Sequence, residues 1–302
     1  MNLSNLSTKG KTWDKHRANA DKIANYYATG GKSHLHCYAQ RVSSCANWLK
    51  FQPILEKDGL VNLELSDARF CRVRHCPVCQ WRRALMWKAK AYKIMPKVIA
   101  EYPNYRWLFI TLTVKNCKIE ELRTTLDWIN KSFKRLTELK IWAAKGWIKS
   151  VEVTRGRDRL SAHPHLHILA LVPPSYFSHR YISHIKWVEL WQKCLRVEYQ
   201  PVIHVRAIAK HNDPNVIIPE ILKYQVKEAD LVADRTWFLE LTRQLHNTRL
   251  IALGGVLRSY MRELNLEACE NLGSDSQKCD RTEEEYLYFA WKRQGNKYKI
   301  EG

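Results

Sequence analysis

The residues best suited to chemistry stand in three short runs. The first is His163-Pro164-His165-Leu166-His167, which opens an apolar stretch closed by Pro173-Pro174. Side chains alternate along a strand, so His165 and His167 share one face while Leu166 points the other way. Two imidazoles at that spacing can converge on one metal ion, which a lone strand histidine does not do. Glu152 lies on the preceding strand-like segment, 147–154. If the hairpin register places it on the histidine face, it completes a two-histidine, one-carboxylate site with open positions. A hard oxygen ligand of that kind suits Mg²⁺ or Mn²⁺.

The second run is Glu220-Ile221-Leu222-Lys223-Tyr224-Gln225-Val226-Lys227. On a helix, Glu220 and Tyr224 are four apart and share a face, Lys227 shares it three residues later, and Lys223 is adjacent. A cation beside a phenol lowers its pKa and can hold a phosphate. Tyrosine is a competent nucleophile when a metal polarises a phosphoryl oxygen. By itself an E-x-x-x-Y helix is commonplace; downstream of a paired-histidine strand in a basic chain it carries more weight.

The third run is Cys71-x4-Cys76-x2-Cys79, with Cys45 twenty-six residues earlier and Cys37 and His75 as spare candidates. The short C-x2-C step lets two thiolates converge on one tetrahedral Zn²⁺. Cys117, Cys194, Cys269 and Cys279 are isolated and read as ordinary thiols.

The elements that must position these runs follow from periodicity. Segment 107–113 is β-branched and aromatic and reads as a buried strand. Segments 147–154 and 165–172 read as an antiparallel hairpin, and 202–208 as a fourth strand. Leu122, Leu126, Ile129, Phe133 and Leu136 give one apolar helical face within 120–140. Helices are also expected over 80–94, ended or interrupted by Pro96, and over 181–196. Another is expected over 220–229 behind Pro219, and a longer one over 236–264, broken at Gly254-Gly255. The class this implies is α+β around an antiparallel sheet. Residues 1–35 read as a polar, mobile segment, 36–100 as a Cys-rich basic element, 101–265 as the catalytic domain and 266–302 as a polar tail with a possible hairpin over 286–300.

The 302 residues carry 50 Lys and Arg against 30 Asp and Glu, a net charge of +20, which points to a polyanionic partner. Between Cys71 and Ala100 there are eight Lys or Arg and no acid, so Arg82, Arg83, Lys88 and Lys90 are candidate phosphate contacts, as is Lys223. Nine cysteines, an odd number, fit reduced thiols and metal ligands better than a disulfide framework. No run approaches the roughly 20 apolar residues of a membrane span, and the polar N-terminus does not read as a signal peptide, so a cytoplasmic location is expected.

In this order the three blocks resemble the single-tyrosine rolling-circle plasmid replication initiators of the HUH endonuclease superfamily. The matching residues are Phe109-Ile110-Thr111-Leu112-Thr113, His163-Pro164-His165-Leu166-His167 and Glu220-Ile221-Leu222-Lys223-Tyr224 with Lys227. The segment Phe70–Arg83 also resembles the Cys-rich segment of one branch. The resemblance implies an HUH-endonuclease-like, about five-stranded antiparallel sheet flanked by helices, with a small zinc-binding element. It implies a nick in origin DNA, single-stranded at the nick, by Tyr224, leaving a 5′-phosphotyrosine and a 3′-OH for host polymerase, with a host helicase as partner. It further implies Glu152 as third metal ligand and Glu220 as the group that activates water to end the round. Two alternatives stand beside this reading. One is a transposase or relaxase of the same superfamily, although many relaxases place the tyrosine near the N-terminus. The other is a non-enzymatic, zinc-dependent origin-binding protein, which leaves the histidine pair idle.

Overall fold

The computed structural model describes residues 1–31, 33–55, 61–209, 213–221, 226–264 and 286–301; the side chains of residues 219–221 lie outside that set. In chain order the elements begin with α1 (Leu3–Leu6), α2 (Gly10–Ala28), α3 (Ser33–Ser43), β1 (Trp48–Leu55), β2 (Val61–Ala68) and α4 (Pro77–Glu101). Next come β3 (Arg106–Thr113), β4 (Cys117–Lys118), α5 (Leu122–Thr137), β5 (Gly146–Arg155), β6 (Ser161–Val172) and α6 (His184–Leu195). The remainder is β7 (Ile203–Ala207), α7 (Pro214–Ile221), α8 (Glu228–Ala233), α9 (Arg235–Gln244), β8 (Ile251–Gly255), α10 (Val256–Glu263), β9 (Leu287–Lys292) and β10 (Lys297–Glu301). The chain divides into two units: the first takes Met1–Arg83 and Leu231–Arg235 with the C-terminal strands β9 and β10, the second Ala84–Asp230 and the segment from Thr236 through α10.

The second unit holds an antiparallel sheet of order β7-β3-β6-β5-β8, with the short β4 paired to β6. Its five main strands and flanking helices are the α+β arrangement that periodicity implied. Trp107, Ile148, Leu169, Leu171, Ile251 and Leu253 meet Ile94, Met95 and Val98 of α4, Ile217 and Ile218 of α7 and Leu257 and Met261 of α10 in one buried core. Burying each such side chain contributes about 1.5–3 kcal/mol. Along β6, Leu171 and Leu169 belong to that core, and the next positions on the same face are His167, His165 and His163. One strand face thus anchors in the core and then presents three imidazoles.

Several expectations are corrected here. Pro96 does not end its helix: α4 runs through it, because Ile94, Met95 and Val98 on either side are fully buried and their packing outweighs one lost helical hydrogen bond. Segment 236–264 is not a broken helix but helix, strand, helix. The apolar run 250–253 forms β8 against β5, an ambiguity inherent in short apolar runs. Gly254 is required there, since a Cβ at that position would lie 2.2 Å from the Trp147 ring, and Gly255 adopts φ +57°. A helix begins at Pro214, so Pro214 rather than Pro219 takes the first helical position; of the helix expected over 220–229, residues 222–225 lie outside the described residues and Glu228–Ala233 forms α8.

The first unit carries a second antiparallel sheet, β10-β9-β1-β2, that was not anticipated as a sheet. The segment 1–35, read above as polar and mobile, is built into this unit. Trp13, Ala20, Ile23 and Tyr27 recur at helical spacing on α2 and are buried. Arg17, with no exposed surface, pairs with Asp21 and donates to the Val42 and Ser43 carbonyls, tying α2 to α3. The hairpin foreseen over 286–300 is present as β9 and β10. Among the described residues, no helix is long and apolar enough to cross a membrane.

Candidate active site

The antiparallel register of β5 and β6 sets Glu152 opposite His165 and Ser150 opposite His167. Glu152 Oε2 lies 2.8 Å from His167 Nε2 and 3.3 Å from His165 Nε2. The three ligand atoms fall within 4.8 Å of one another, and all three residues are half-buried. The hydrogen bonds behind the rings fix which nitrogens face inward. His165 Nδ1 sits 3.3 Å from the His163 carbonyl oxygen, which can only accept, so a proton on Nδ1 would leave the Nε2 lone pair for a cation. His167 Nδ1 lies 3.1 Å from Thr111 Oγ1, which can accept the same way, and the ring stacks on Phe109 at 5.4 Å between centroids. As the groups stand, each Nε2 is within reach to donate to the Glu152 carboxylate, and a divalent cation at the same point would replace those protons and be bound by two imidazole nitrogens and a carboxylate. Burial pushes the Glu152 carboxyl up, but the two imidazoles outweigh burial and hold it well below the usual carboxylate range. It therefore meets a cation as an anion at any physiological pH.

Thr111 and Asn116 were not singled out from sequence for these roles. Thr111 reaches His167 because β3 pairs with β6 at that rung. Asn116, in the loop after β3, holds His163 Nδ1 at 2.8 Å, so His163 stands beside the cluster, 5.2 Å from the His165 ring, without joining it. The period-2 alternation of Phe109, Thr111 and Thr113 was the available signal. Thr111→Val removes the partner that sets the His167 tautomer. It is expected to weaken Mn²⁺ affinity about 10- to 100-fold, measured by calorimetric titration, with the folded far-ultraviolet signal unchanged.

In the first unit, Cys45, Cys71, Cys76 and Cys79 meet, all buried, with their sulfurs within 4.8 Å of one another. Cys79 Sγ lies 3.6 Å from Cys45 Sγ and 3.5 Å from Cys71 Sγ. A tetrahedron of Zn–S bonds near 2.3 Å needs sulfurs about 3.8 Å apart, so the cage has the right size. Ala46 (φ 51°) and Arg72 (φ 57°), each following a ligand cysteine, take the left-handed conformation that turns backbone N–H groups back toward sulfur. The Cys71 and Arg72 amides accordingly point at Cys45 and Cys79 sulfurs, at 3.4 and 3.3 Å. Hydrogen bonds from Cys45, Cys71 and Cys76 hold the Cys79 thiol far below its ordinary value, while burial pushes Cys76 well above its own. Four thiolates together in this buried cage need a cation. The spare candidates stand aside: Cys37 is exposed, and burial pushes the neutral His75 down to about 3.

The basic residues divide. Lys90 is 6% exposed, with its ammonium 5.3 Å from the Trp87 ring. Arg82 is half-buried, its guanidinium 5.5 Å from Phe70 and 6.0 Å from Trp13. Arg83 donates to the Arg74 carbonyl and Lys88 is half-buried. Of the tyrosine run, Lys223, Tyr224 and the Glu220 side chain lie outside the described residues, while Lys227 is exposed. The described residues on either side are both anchored. Ile217 and Ile218 of α7 are buried in the core, and Val226 makes a parallel bridge to Val153, the residue after Glu152.

Residues 62–299 match the family model described as Replication protein. The chain belongs to this family. A Protein rep from Lactiplantibacillus plantarum is 36% identical over 248 residues, covering 77% of each chain. A Protein rep from Streptococcus pneumoniae is 32% identical, over 88% of this chain and 84% of its own. A Replication protein from Staphylococcus aureus is 33% identical over 60% of this chain and 83% of its own. No solved structure matches the chain. The resemblance to plasmid rolling-circle replication initiators is borne out at the level of the family, and this replication protein carries its two candidate metal centres in two different units.

Proposed function

We propose that this replication protein starts rolling-circle replication of a plasmid by nicking one strand of the origin with Tyr224, in the cytoplasm. The observation that supports it most is the convergence of Glu152, His165 and His167 on one point of the sheet, in a chain belonging to the replication proteins. Mg²⁺ or Mn²⁺ held by these three residues would supply charge neutralisation at the scissile phosphate. The chain's own part is to present the nucleophile. Tyr224 stands two residues before Val226, at most about 7 Å of extended chain, and Val226 is hydrogen-bonded beside Glu152's strand neighbour. The phenol oxygen displaces the 3′ oxygen at phosphorus. The phenolic proton and the departing alkoxide together become a 3′-OH, and the 5′ phosphate remains on the tyrosine. Host polymerase extends the 3′-OH while a host helicase unwinds ahead. Exposed Lys227, with Lys223, neutralises neighbouring phosphates. Cys45, Cys71, Cys76 and Cys79 would hold Zn²⁺, which would fix the start of α4 and with it Arg82 and Arg83, the residues proposed to meet DNA phosphates. A purely DNA-binding role leaves the Glu152–His165–His167 site without a use.

The reading is tested on supercoiled origin plasmid in Mg²⁺ or Mn²⁺ by the chemistry of the nicked ends. A polymerase-extendable 3′ end is expected, with a 5′ end that carries the protein and, after protease treatment, still carries a tyrosyl peptide; a free 5′ phosphate would overturn it.

Glu220 is assigned to termination. With Tyr224 already bound to DNA, a second cut needs another nucleophile, and a carboxylate can act as general base on water. Glu220→Gln should still nick and form the adduct, yet release multimeric single strands in a replication assay. Normal monomeric circles from that variant would remove the role.

A further inference from the structure

We infer that the solvent face of the first unit's sheet is a platform for single-stranded DNA, built from residues that take no part in the nicking site. It rests on the proposed function only in taking DNA as the ligand. The strands β1, β9 and β10 alternate cleanly. Leu49, Phe51, Phe289, Trp291 and Tyr298 are buried on one face. The other face presents Trp48, Lys50, Tyr288, Lys292, Lys297 and Lys299. Trp48 is 39% and Tyr288 44% exposed, a high figure for large aromatics in the middle of a sheet.

The register makes this a pattern rather than a scatter. Trp48 lies opposite Ala290, which lies opposite Lys299. Lys50 lies opposite Tyr288, with its ammonium 5.6 Å from that ring. Trp48 and Tyr288 are therefore diagonal neighbours on adjacent strands, about 7–8 Å apart by sheet geometry, with small Ala290 between them. Lys292 sits directly opposite Lys297, a like-charge pair that Glu301, near Lys292, offsets only in part. Two acids flank the track: Glu301 on β10 lies opposite Tyr288 and 3.4 Å from Lys292, and Asp67 on the outer strand β2 lies opposite Lys50. The positive, aromatic track thus runs over β1, β9 and β10.

Aromatics interleaved with lysines on a sheet face match unpaired bases and their phosphates, since every base has a face to stack and every linkage a charge. A duplex offers its phosphates to the lysines but no base to Trp48 or Tyr288. A protein partner is disfavoured because lysine is depleted at protein interfaces.

The test uses the full chain and a fluorescent oligothymidine without origin sequence, so that origin recognition does not enter. Trp48→Ala with Tyr288→Ala should weaken binding at least tenfold with the salt slope unchanged, and Phe at both positions should restore most of it. Lys292→Gln with Lys299→Gln should lower the salt slope by about 1.4. Thermal midpoints should stay at the parent value, because these side chains are exposed. Unchanged oligothymidine affinity in the alanine variant would overturn the inference, as would an equal loss of affinity for duplex of the same length. Nicking of an origin oligonucleotide by the same variants is scored separately. A chain that binds oligothymidine through Trp48 and Tyr288 yet never nicks would refute the proposed function and leave the platform standing.

Discussion

His165→Ala with His167→Ala is expected to abolish nicking of supercoiled origin plasmid, a loss of more than about 1,000-fold, with little change in the thermal midpoint. The size follows from the role: charge neutralisation at the scissile phosphate is worth several kcal/mol, and 1.4 kcal/mol is a factor of ten in rate. The stability forecast follows from placement. Both rings lie beyond the apolar core on their strand face, and their absence leaves no cavity among Leu169, Leu171 and Ile148. Either single variant should already cost most of the rate, because neither imidazole with Glu152 alone completes the set. Undiminished nicking by the double variant in Mg²⁺ or Mn²⁺ would remove the metal assignment.

The second large effect is on folding. Cys79→Ser should strip the zinc and destabilise the chain by several kcal/mol, because metal binding free energy at a structural site is folding free energy. Cys79 is the position to change, since its sulfur contacts both Cys45 and Cys71 and receives the Arg72 amide. Elemental analysis of the parent protein should give about one zinc per chain, and chelation should lower the thermal midpoint toward that of the variant. Metal-free parent protein with an unchanged melting curve would contradict the assignment.

Much of the site's geometry was legible because it is local or periodic. Alternation along 163–167 fixed which imidazoles share a face, and a hairpin between 147–154 and 165–172 left one choice of register, whether Glu152 faced them. The structure shows that it does. The C-x2-C step placed Cys76 and Cys79 together, whereas Cys45 depended on a chain return that spacing alone does not dictate. What stayed hidden is non-local. The first unit's sheet pairs 48–51 with 287–290, strands from opposite ends of the chain, and no local pattern reports such a partner. The α2 helix was missed for a different reason. Its inward face includes His16 and Arg17, so the apolar stripe of Trp13, Ala20, Ile23 and Tyr27 is interrupted by buried polar groups that raise no signal in a hydropathy reading. Lys90 shows the converse: a cation in a basic run is 6% exposed, and nothing in the run's composition reports that burial.

The identity of the nucleophile is measured most directly as the site of the covalent bond. The full chain is incubated with a single-stranded origin oligonucleotide in Mn²⁺, digested with protease and nuclease, and the nucleotide-bearing peptide sequenced by mass spectrometry. The predicted result is a 5′-phosphate ester on Tyr224, lost in Tyr224→Phe together with nicking. An adduct on Tyr181, Tyr199 or Tyr260, or nicking that persists in Tyr224→Phe, would contradict it.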